Sequence, residues 1–132
     1  MLNTFDACQK LLSHERLSTR ERLDLYFIDF QIMPLFVHQN YLSAAQNIQE
    51  AADAAEYLST GDLINSHVMC QNWALLPNIG MCMVCAPSVI CSGRSPWAKF
   101  PEVWPKMSVL KKTNRMLREV KQAIGSAFQA NR

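Results

Sequence analysis

Apolar side chains recur along this chain at spacings of three and four, and strict alternation is nearly absent. That pattern predicts an all-α fold, a bundle of about five to seven helices. The densest stretch runs from Asp24 to Tyr41, with Tyr26, Phe27, Phe30, Phe36 and Tyr41 close together. Leu23, Tyr26, Phe27 and Phe30 fall at i, i+3, i+4 and i+7, one wide face of a helix. Pro34 interrupts this run, because proline lacks an N–H and disfavours helix in the residue before it. Proline is tolerated in a first helical turn, so Pro34 to Tyr41 is expected to restart as a short helix at an angle. Two aromatic helices meeting at a proline corner require something large to pack on them.

The elements around this corner follow from local signals. Asn3 or Thr4 can cap a first helix carrying Phe5, Cys8, Leu11 and Leu12 on one side, with His14 to Leu17 as connector. Ser18-Thr19-Arg20-Glu21 fits a capping box and sets the start of the aromatic helix. Ser43 to Leu58 is alanine-rich, with Ile48, Ala51, Ala52, Ala55 and Leu58 as a narrow stripe that allows close helix approach. Gly61 is expected to end this helix in a left-handed conformation, and Asp62 to cap the next. Leu63 to Gly93 holds no Asp, Glu, Lys or Arg, and Trp73 to Cys91 approaches the roughly 20 apolar residues of a membrane span. Pro77, Gly80 and Pro87 interrupt it, so the reading is a pair of buried core helices broken near the prolines, with no membrane partner. Trp73 and Phe30 are expected in the core. Ser92 to Pro96 reads as a loop, and Trp97, Phe100, Trp104 and Pro105 as an aromatic plug. Ser108 to about Phe128 is an amphipathic helix, with Leu110, Leu117, Val120, Ile124 and Phe128 on one face.

Composition narrows the picture. At 132 residues the chain is expected to be one domain, 1–132, and 49% apolar against 18% charged residues fits a globular fold rather than disorder. Five cysteines, an odd number without disulfide-scaffold spacing, suggest a reducing compartment. The net charge of +2 hides an asymmetry: Leu23 to Gly93 carries −6 and Arg94 to Arg132 carries +7. Such a split implies internal neutralisation or two surfaces that face different partners.

Candidate chemistry is sparse. His67-x-x-Cys70 and Cys82-x-x-Cys85 have a spacing that zinc sites use. The neighbours of the second pair are Met81, Met83, Val84 and Ala86, so core positions on one helix are the simpler reading. A redox role for Cys82-x-x-Cys85 lacks a strand-to-helix context and a nearby base. His14, His38 and His67 lie in unrelated contexts, and no Walker-type loop exists, so no catalytic residue is identified. Lys111, Lys112, Arg115 and Arg118 form a basic face that suits phosphates, or simply the solvated side of an amphipathic helix.

At Met33-Pro34-Leu35-Phe36-Val37-His38-Gln39-Asn40-Tyr41 the chain resembles the C-terminal domain of the large subunit of eukaryotic replication factor C, the sliding-clamp loader. Members carry Pro-Leu-Phe-apolar-Gln-Glu-Asn-Tyr after an aromatic helix of the Asp-Leu-(Tyr/Phe)-Phe type. Asp24-Leu25-Tyr26-Phe27 and Asn40-Tyr41 fit, while His38 and Gln39 depart from Gln-Glu. Ala51-Ala52-Asp53 leading to Gly61-Asp62-Leu63, and Gln71-Asn72-Trp73-Ala74-Leu75-Leu76-Pro77, agree in order; Asn3-Thr4-Phe5-Asp6 and the Phe100-Pro101 to Trp104 region match more loosely. The resemblance implies a non-catalytic, collar-like helical assembly domain from a larger nuclear AAA+ subunit. It requires no cysteine at position 82 or 85. ATP and Mg would be bound by the AAA+ module, which this sequence lacks, so no cofactor is expected here. Implied partners are the small clamp-loader subunits and, through the whole complex, the sliding clamp and primer-template DNA. Interface or nucleic-acid candidates are Phe36, Asn40, Tyr41, Lys106, Lys111, Lys112, Arg115 and Arg118.

Overall fold

The computed structural model describes residues 2–13 and 15–130, and the regular elements among them are all helical. His14, placed by the sequence in the first connector, lies outside the described residues. Helix α1 (Thr4–Leu11) starts where Asn3 Oδ1 accepts the Asp6 amide at 2.8 Å, and it buries Ala7, Cys8 and Leu11. Helix α2 (Thr19–Tyr26) opens on the expected capping box. The Glu21 amide donates to Ser18 Oγ at 3.2 Å, and the Ser18 amide donates to Glu21 Oε2 at 2.7 Å. These bonds supply backbone donors that a helix start leaves without partners.

The aromatic face does not continue as one helix. Helix α2 stops at Tyr26 because Asp29 folds the chain locally: its Oδ1 accepts the amides of Gln31 (3.2 Å) and Ile32 (3.3 Å). An aspartate side chain offers the backbone this alternative to helical bonding. Tyr26 is therefore buried, Phe27 exposed and Phe30 half-buried. Helix α3 (Met33–Ala44) then begins with Pro34 in its first turn and buries Met33, Phe36 and Val37.

Helix α4 (Ile48–Val68) runs seven residues past Gly61, which corrects the expected stop and the capping role of Asp62. Its buried line is Ala54, Leu58, Gly61 and Val68; Ile48, Ala52 and Ala55 face outward. Gly61 is small because another helix crosses there: a Cβ on it would lie 2.1 Å from Met83 Cγ and 3.2 Å from Cys82 Cβ. At the start of α4, Asn47 Oδ1 accepts the Glu50 amide at 2.9 Å. The Glu50 carboxylate accepts the amides of Gln46 (2.9 Å) and Ser92 (3.1 Å) and the Ser92 hydroxyl.

Those bonds hold the Glu50 carboxyl below the usual carboxylate range, the Gln46 amide contributing most and Ser92 next. A depressed folded-state value means that the support is complete above the unfolded carboxylate range and is lost as pH falls through the depressed value. The protection factor of the Ser92 amide is thus expected to fall on acidification below the usual carboxylate range. In Glu50→Ala it should be low already at pH 7. Equal protection in parent and variant at neutral pH would mean that Glu50 does not hold this loop.

From Trp73 the charge-free stretch forms one continuous helical rod rather than two broken helices. A 3₁₀ turn (Trp73–Leu75), α5 (Leu76–Gly80), a π segment (Met81–Cys85) and α6 (Ala86–Ile90) follow without a gap. Pro77 sits in the first turns of the rod, where its missing N–H has no partner to lose. Pro87 follows the π segment, a common way for a helix to absorb a proline without stopping. The rod passes the length and hydropathy criteria for a membrane span. Its Ile79, Gly80, Met83, Val84, Cys85 and Pro87 are buried, and α2, α3 and α4 are its neighbours, so it is the central helix of the bundle. One core gathers Cys8, Leu11, Tyr26, Met33, Phe36, Val37 and Val84. A second gathers Leu58, Val68, Ile79 and Met83, and Tyr41 packs against both.

Residues 91–101 form an arm without helix, bound along its length by α1 and α3. The Ser95 amide donates to the Leu12 carbonyl at 3.0 Å, and the Gly93 amide to the Ala44 carbonyl at 2.8 Å. Gln9 bonds the Ser95 carbonyl (2.7 Å) and the Ala98 amide (2.9 Å). Of the expected aromatic plug only Phe100 takes part, against Phe36 (5.6 Å) and Phe5 (6.1 Å) between ring centroids. Trp97 is 81% exposed, and Trp104 and Pro105 belong to the first turn of the last helix. That helix, α7 (Val103–Ala130), starts five residues earlier than the sequence predicts. The chain resolves into two compact units, Met1–Pro101 and Glu102–Arg132, the second being essentially α7.

Candidate interaction surfaces

Three of the sequence-derived candidates are internal or partly so. Phe36 is fully buried, with the Phe5 ring edge-on at 5.0 Å. Asn40 is buried as well, and its amide is fully employed. Its Nδ2 donates to the carbonyls of Phe36 (2.8 Å) and Lys99 (2.9 Å), while Oδ1 accepts the Lys99 amide at 2.7 Å. Asn40 thus pairs with Lys99 as a neighbouring peptide group would, and it clasps the arm to α3. Phe36 and Asn40 are corrected from interface candidates to core. Tyr41 is half-buried and joins the two cores.

The zinc-like constellation is dispersed. His67 and Cys70 are exposed at the end of α4, Cys82 is half-buried, and Cys85 is buried in the π segment. No group of three or more His, Cys, Asp or Glu capable of holding a metal occurs among the described residues. Burial pushes the Cys85 and Cys91 thiols up to about 11 and Cys8 up to about 12, so these three stay protonated and unreactive. Brief alkylation of the folded chain at pH 8 is expected to label Cys70 first and Cys82 more slowly. Labelling of Cys8, Cys85 or Cys91 at the rate of Cys70, read by peptide mass spectrometry, would contradict this packing.

Beside Cys85 lies a residue that the sequence did not single out. Arg22 is buried, and its Nη1 donates to Ser88 Oγ (2.7 Å) and the Ser88 carbonyl (3.3 Å); Nε donates to the Leu17 carbonyl (3.3 Å). Desolvation lowers its pKa, and the bonds to uncharged oxygens retain it in the core. It ties α2 to the rod. Nothing in the sequence of α2 distinguishes this arginine from a solvated cation.

The outward surface of unit one is apolar where the charge-free stretch begins. Met69 is 72% exposed and Trp73 58% exposed, flanking Gln71, which has a positive φ of 72°. Trp73 is therefore corrected from core to surface. Gln71 is where the chain leaves α4 for the rod, and a non-glycine residue in this region is uncommon. Two shallow polar depressions lie elsewhere, one between Asp6, Lys10 and Glu15 and one beside Arg94.

Unit two is a single long helix with its apolar side chains exposed. Over 28 residues, α7 places Val103, Leu110, Leu117 and Ile124 seven apart, with Val109, Met116 and Val120 beside them. All seven side chains are exposed, and their own unit holds no second element to cover them. Lys111, Lys112, Arg115 and Arg118 occupy the opposite face, as expected. Lys106 lies near the start and pairs with Glu102 at 4.0 Å; Arg115 pairs with Glu119 at 3.8 Å. Exposed i,i+4 pairs contribute only about 0.3–0.5 kcal/mol, so they leave the face basic.

Comparison with known proteins follows this geometry. The family described as "Replication factor RFC1 C terminal domain" matches residues 58–132, a span that begins within α4 and includes α7. The chain is similar to replication factor C subunit 1 of Drosophila melanogaster, 35% identical over 71 residues, covering 48% of the chain and 7% of that relative. Against the Homo sapiens subunit it is 26% identical over 134 residues, covering 90% and 12%. Against that of Schizosaccharomyces pombe it is 24% identical over 155 residues, covering 100% and 17%. The chain thus spans less than a fifth of the length of these relatives.

Proposed function

The chain belongs to the family of the replication factor RFC1 C-terminal domain, and from that premise we propose that it is a non-catalytic assembly domain of a DNA clamp loader. In this reading it holds the large subunit among the small subunits for ATP-dependent loading of the sliding clamp, in the nucleus, during replication and repair. ATP and Mg belong to other parts of the loader, and so do the main contacts with the clamp and with primer-template DNA. One observation carries the proposal: the span that matches the family turns large apolar side chains outward, from Met69 and Trp73 to the whole stripe of α7. Exposed apolar surface of this kind, on each unit taken by itself, is characteristic of protein–protein contact.

A second reading rests on the other face of α7. Lys111, Lys112 and Arg118 form no ion pair among the described residues, so they are available to nucleic-acid phosphates. The two readings separate in one pair of measurements on the parent and the variant with Lys111, Lys112, Arg115 and Arg118 all changed to Gln. Assembly predicts that both co-purify with the small clamp-loader subunits and that duplex DNA binds weakly to either. Tight duplex binding near physiological salt that collapses in the variant, with its fold intact, would favour DNA recognition. In that case the log–log salt slope would shrink in magnitude by about 0.9 per lost phosphate contact.

A further inference from the structure

The seven-residue spacing of the α7 stripe and the distribution of charge along its edges describe the partner more closely. Residues repeating every seven positions, rather than drifting at 3.6 per turn, keep one seam facing a helix that supercoils with it. Val103, Leu110, Leu117 and Ile124 hold one position of that repeat along α7, and the position three residues on, Lys106, Thr113, Val120 and Ala127, becomes apolar only in the second half. Val109 and Met116, also seven apart, widen it on one side, giving the broad face of a helix that packs between two others rather than the narrow seam of a simple pair.

The edges of the stripe differ. On the side away from Val109 and Met116, the bordering charged residues are Lys111, Arg118 and Lys121, with no acid among them. Beyond Val109 and Met116 the border is mixed, with Lys112 and Glu119. The element as a whole carries six basic residues and one acidic residue. A second copy of the chain is a poor occupant, since pairing two such helices sets like charges against each other, which is destabilising.

We infer that the apolar stripe of α7 seats in a groove between two helices of a partner protein, and that the groove is acidic along the rim facing Lys111, Arg118 and Lys121. This rests on the assembly reading and adds the partner's chemistry and the orientation in which α7 docks. The charged edge fixes which way round the helix lies and accelerates encounter, while the stripe supplies the affinity.

The test uses the full chain, with the small clamp-loader subunits as the probe, and three variants checked for unchanged helicity by circular dichroism. Leu117→Glu places a charge in the middle of the stripe and is expected to weaken binding about thirtyfold or more, the effect of losing a central anchor. Reversal of the edge (Lys111→Glu, Arg118→Glu and Lys121→Glu together) should slow association about tenfold at low salt, with the difference shrinking as salt rises. Reversal on the far face (Arg115→Glu) should change association much less. If the parent binds the small subunits and all three variants bind equally, the inference fails while the assembly reading stands. If both reversals slow association equally, the acidic rim is wrong. A parent chain that shows no binding to the small subunits removes the assembly reading and the inference together. A parent that dimerises through a contact abolished by Leu117→Glu would make a second copy the occupant and overturn the inference.

Discussion

Phe36→Ala is expected to destabilise the first unit by about 3–5 kcal/mol, the usual cost of removing a buried aromatic and leaving a cavity. Phe36 is fully buried, Phe5 and Phe100 pack edge-on against it, and Asn40 bonds its carbonyl. Its loss therefore loosens the core and the arm of residues 91–101 together. With domain stabilities of about 5–15 kcal/mol and shifts of about 4–8 °C per kcal/mol, the melting temperature should fall by more than about 12 °C. Trp73→Ala is the contrasting case. More than half of Trp73 is exposed, so its removal should cost about 1 kcal/mol or less. Thermal unfolding of both variants checks the pair. A Trp73 variant that melts as low as the Phe36 variant would place this tryptophan in the core after all. One that melts like the parent but loses the small subunits would make it an interface anchor.

These two residues show where the sequence informs and where it does not. Local signals were readable because their partners lie within a few residues: the Ser18–Glu21 box, the cap before α1, and the stripe and basic face of α7 all appear as expected. The start of α7 precedes the predicted one because Trp104 and Pro105 read as part of an aromatic plug without helical periodicity, whereas a proline in a first turn has no N–H bond to lose. The extent of the rod was misjudged for a similar reason. Pro77 and Pro87 predicted breaks, but one lies near a helix start and the other follows a π segment, which no propensity argument foresees.

The candidate site was less legible, because exposure depends on what packs from far along the chain. Lack of charge between Leu63 and Gly93 suggested burial throughout, yet the rod buries one side and leaves Trp73, Met81 and Val89 on the other. Asn40 looked like a surface residue in a family motif, and its role depends on Lys99, 59 residues away. Arg22 is held by Ser88, 66 residues away. For the same reason the glycines misled: a glycine at a helix end and one under a crossing helix are identical in local sequence.

That ambiguity gives the last prediction, because three glycines lie inside helical segments and three different outcomes are expected from Gly→Ala. Within a helix, alanine is favoured over glycine by about 0.5–1 kcal/mol, the same gain at each site unless the new methyl group meets something. At Gly125 a Cβ would meet nothing within 4 Å, so Gly125→Ala should raise the helicity of residues 103–130 and slow their amide exchange. At Gly61 the obstacle is Met83 Cγ at 2.1 Å, too close to leave in place, although a methionine side chain can rotate away. The propensity gain and the repacking cost should nearly cancel there, with a change in melting temperature of a few degrees at most. At Gly80 the new carbon would lie 2.6 and 2.8 Å from the ring of Tyr26 and 3.0 Å from Leu23 Cδ2. Tyr26 is fully buried, so its ring cannot swing out into solvent. Overpacking of this sort costs about 1–3 kcal/mol, more than propensity returns, so Gly80→Ala should be clearly destabilised. The order expected in thermal unfolding of the first unit is Gly80→Ala lowest, with Gly61→Ala near the parent. If Gly80→Ala melted at or above the parent, α2 and the rod would not pack through Tyr26 as closely as described.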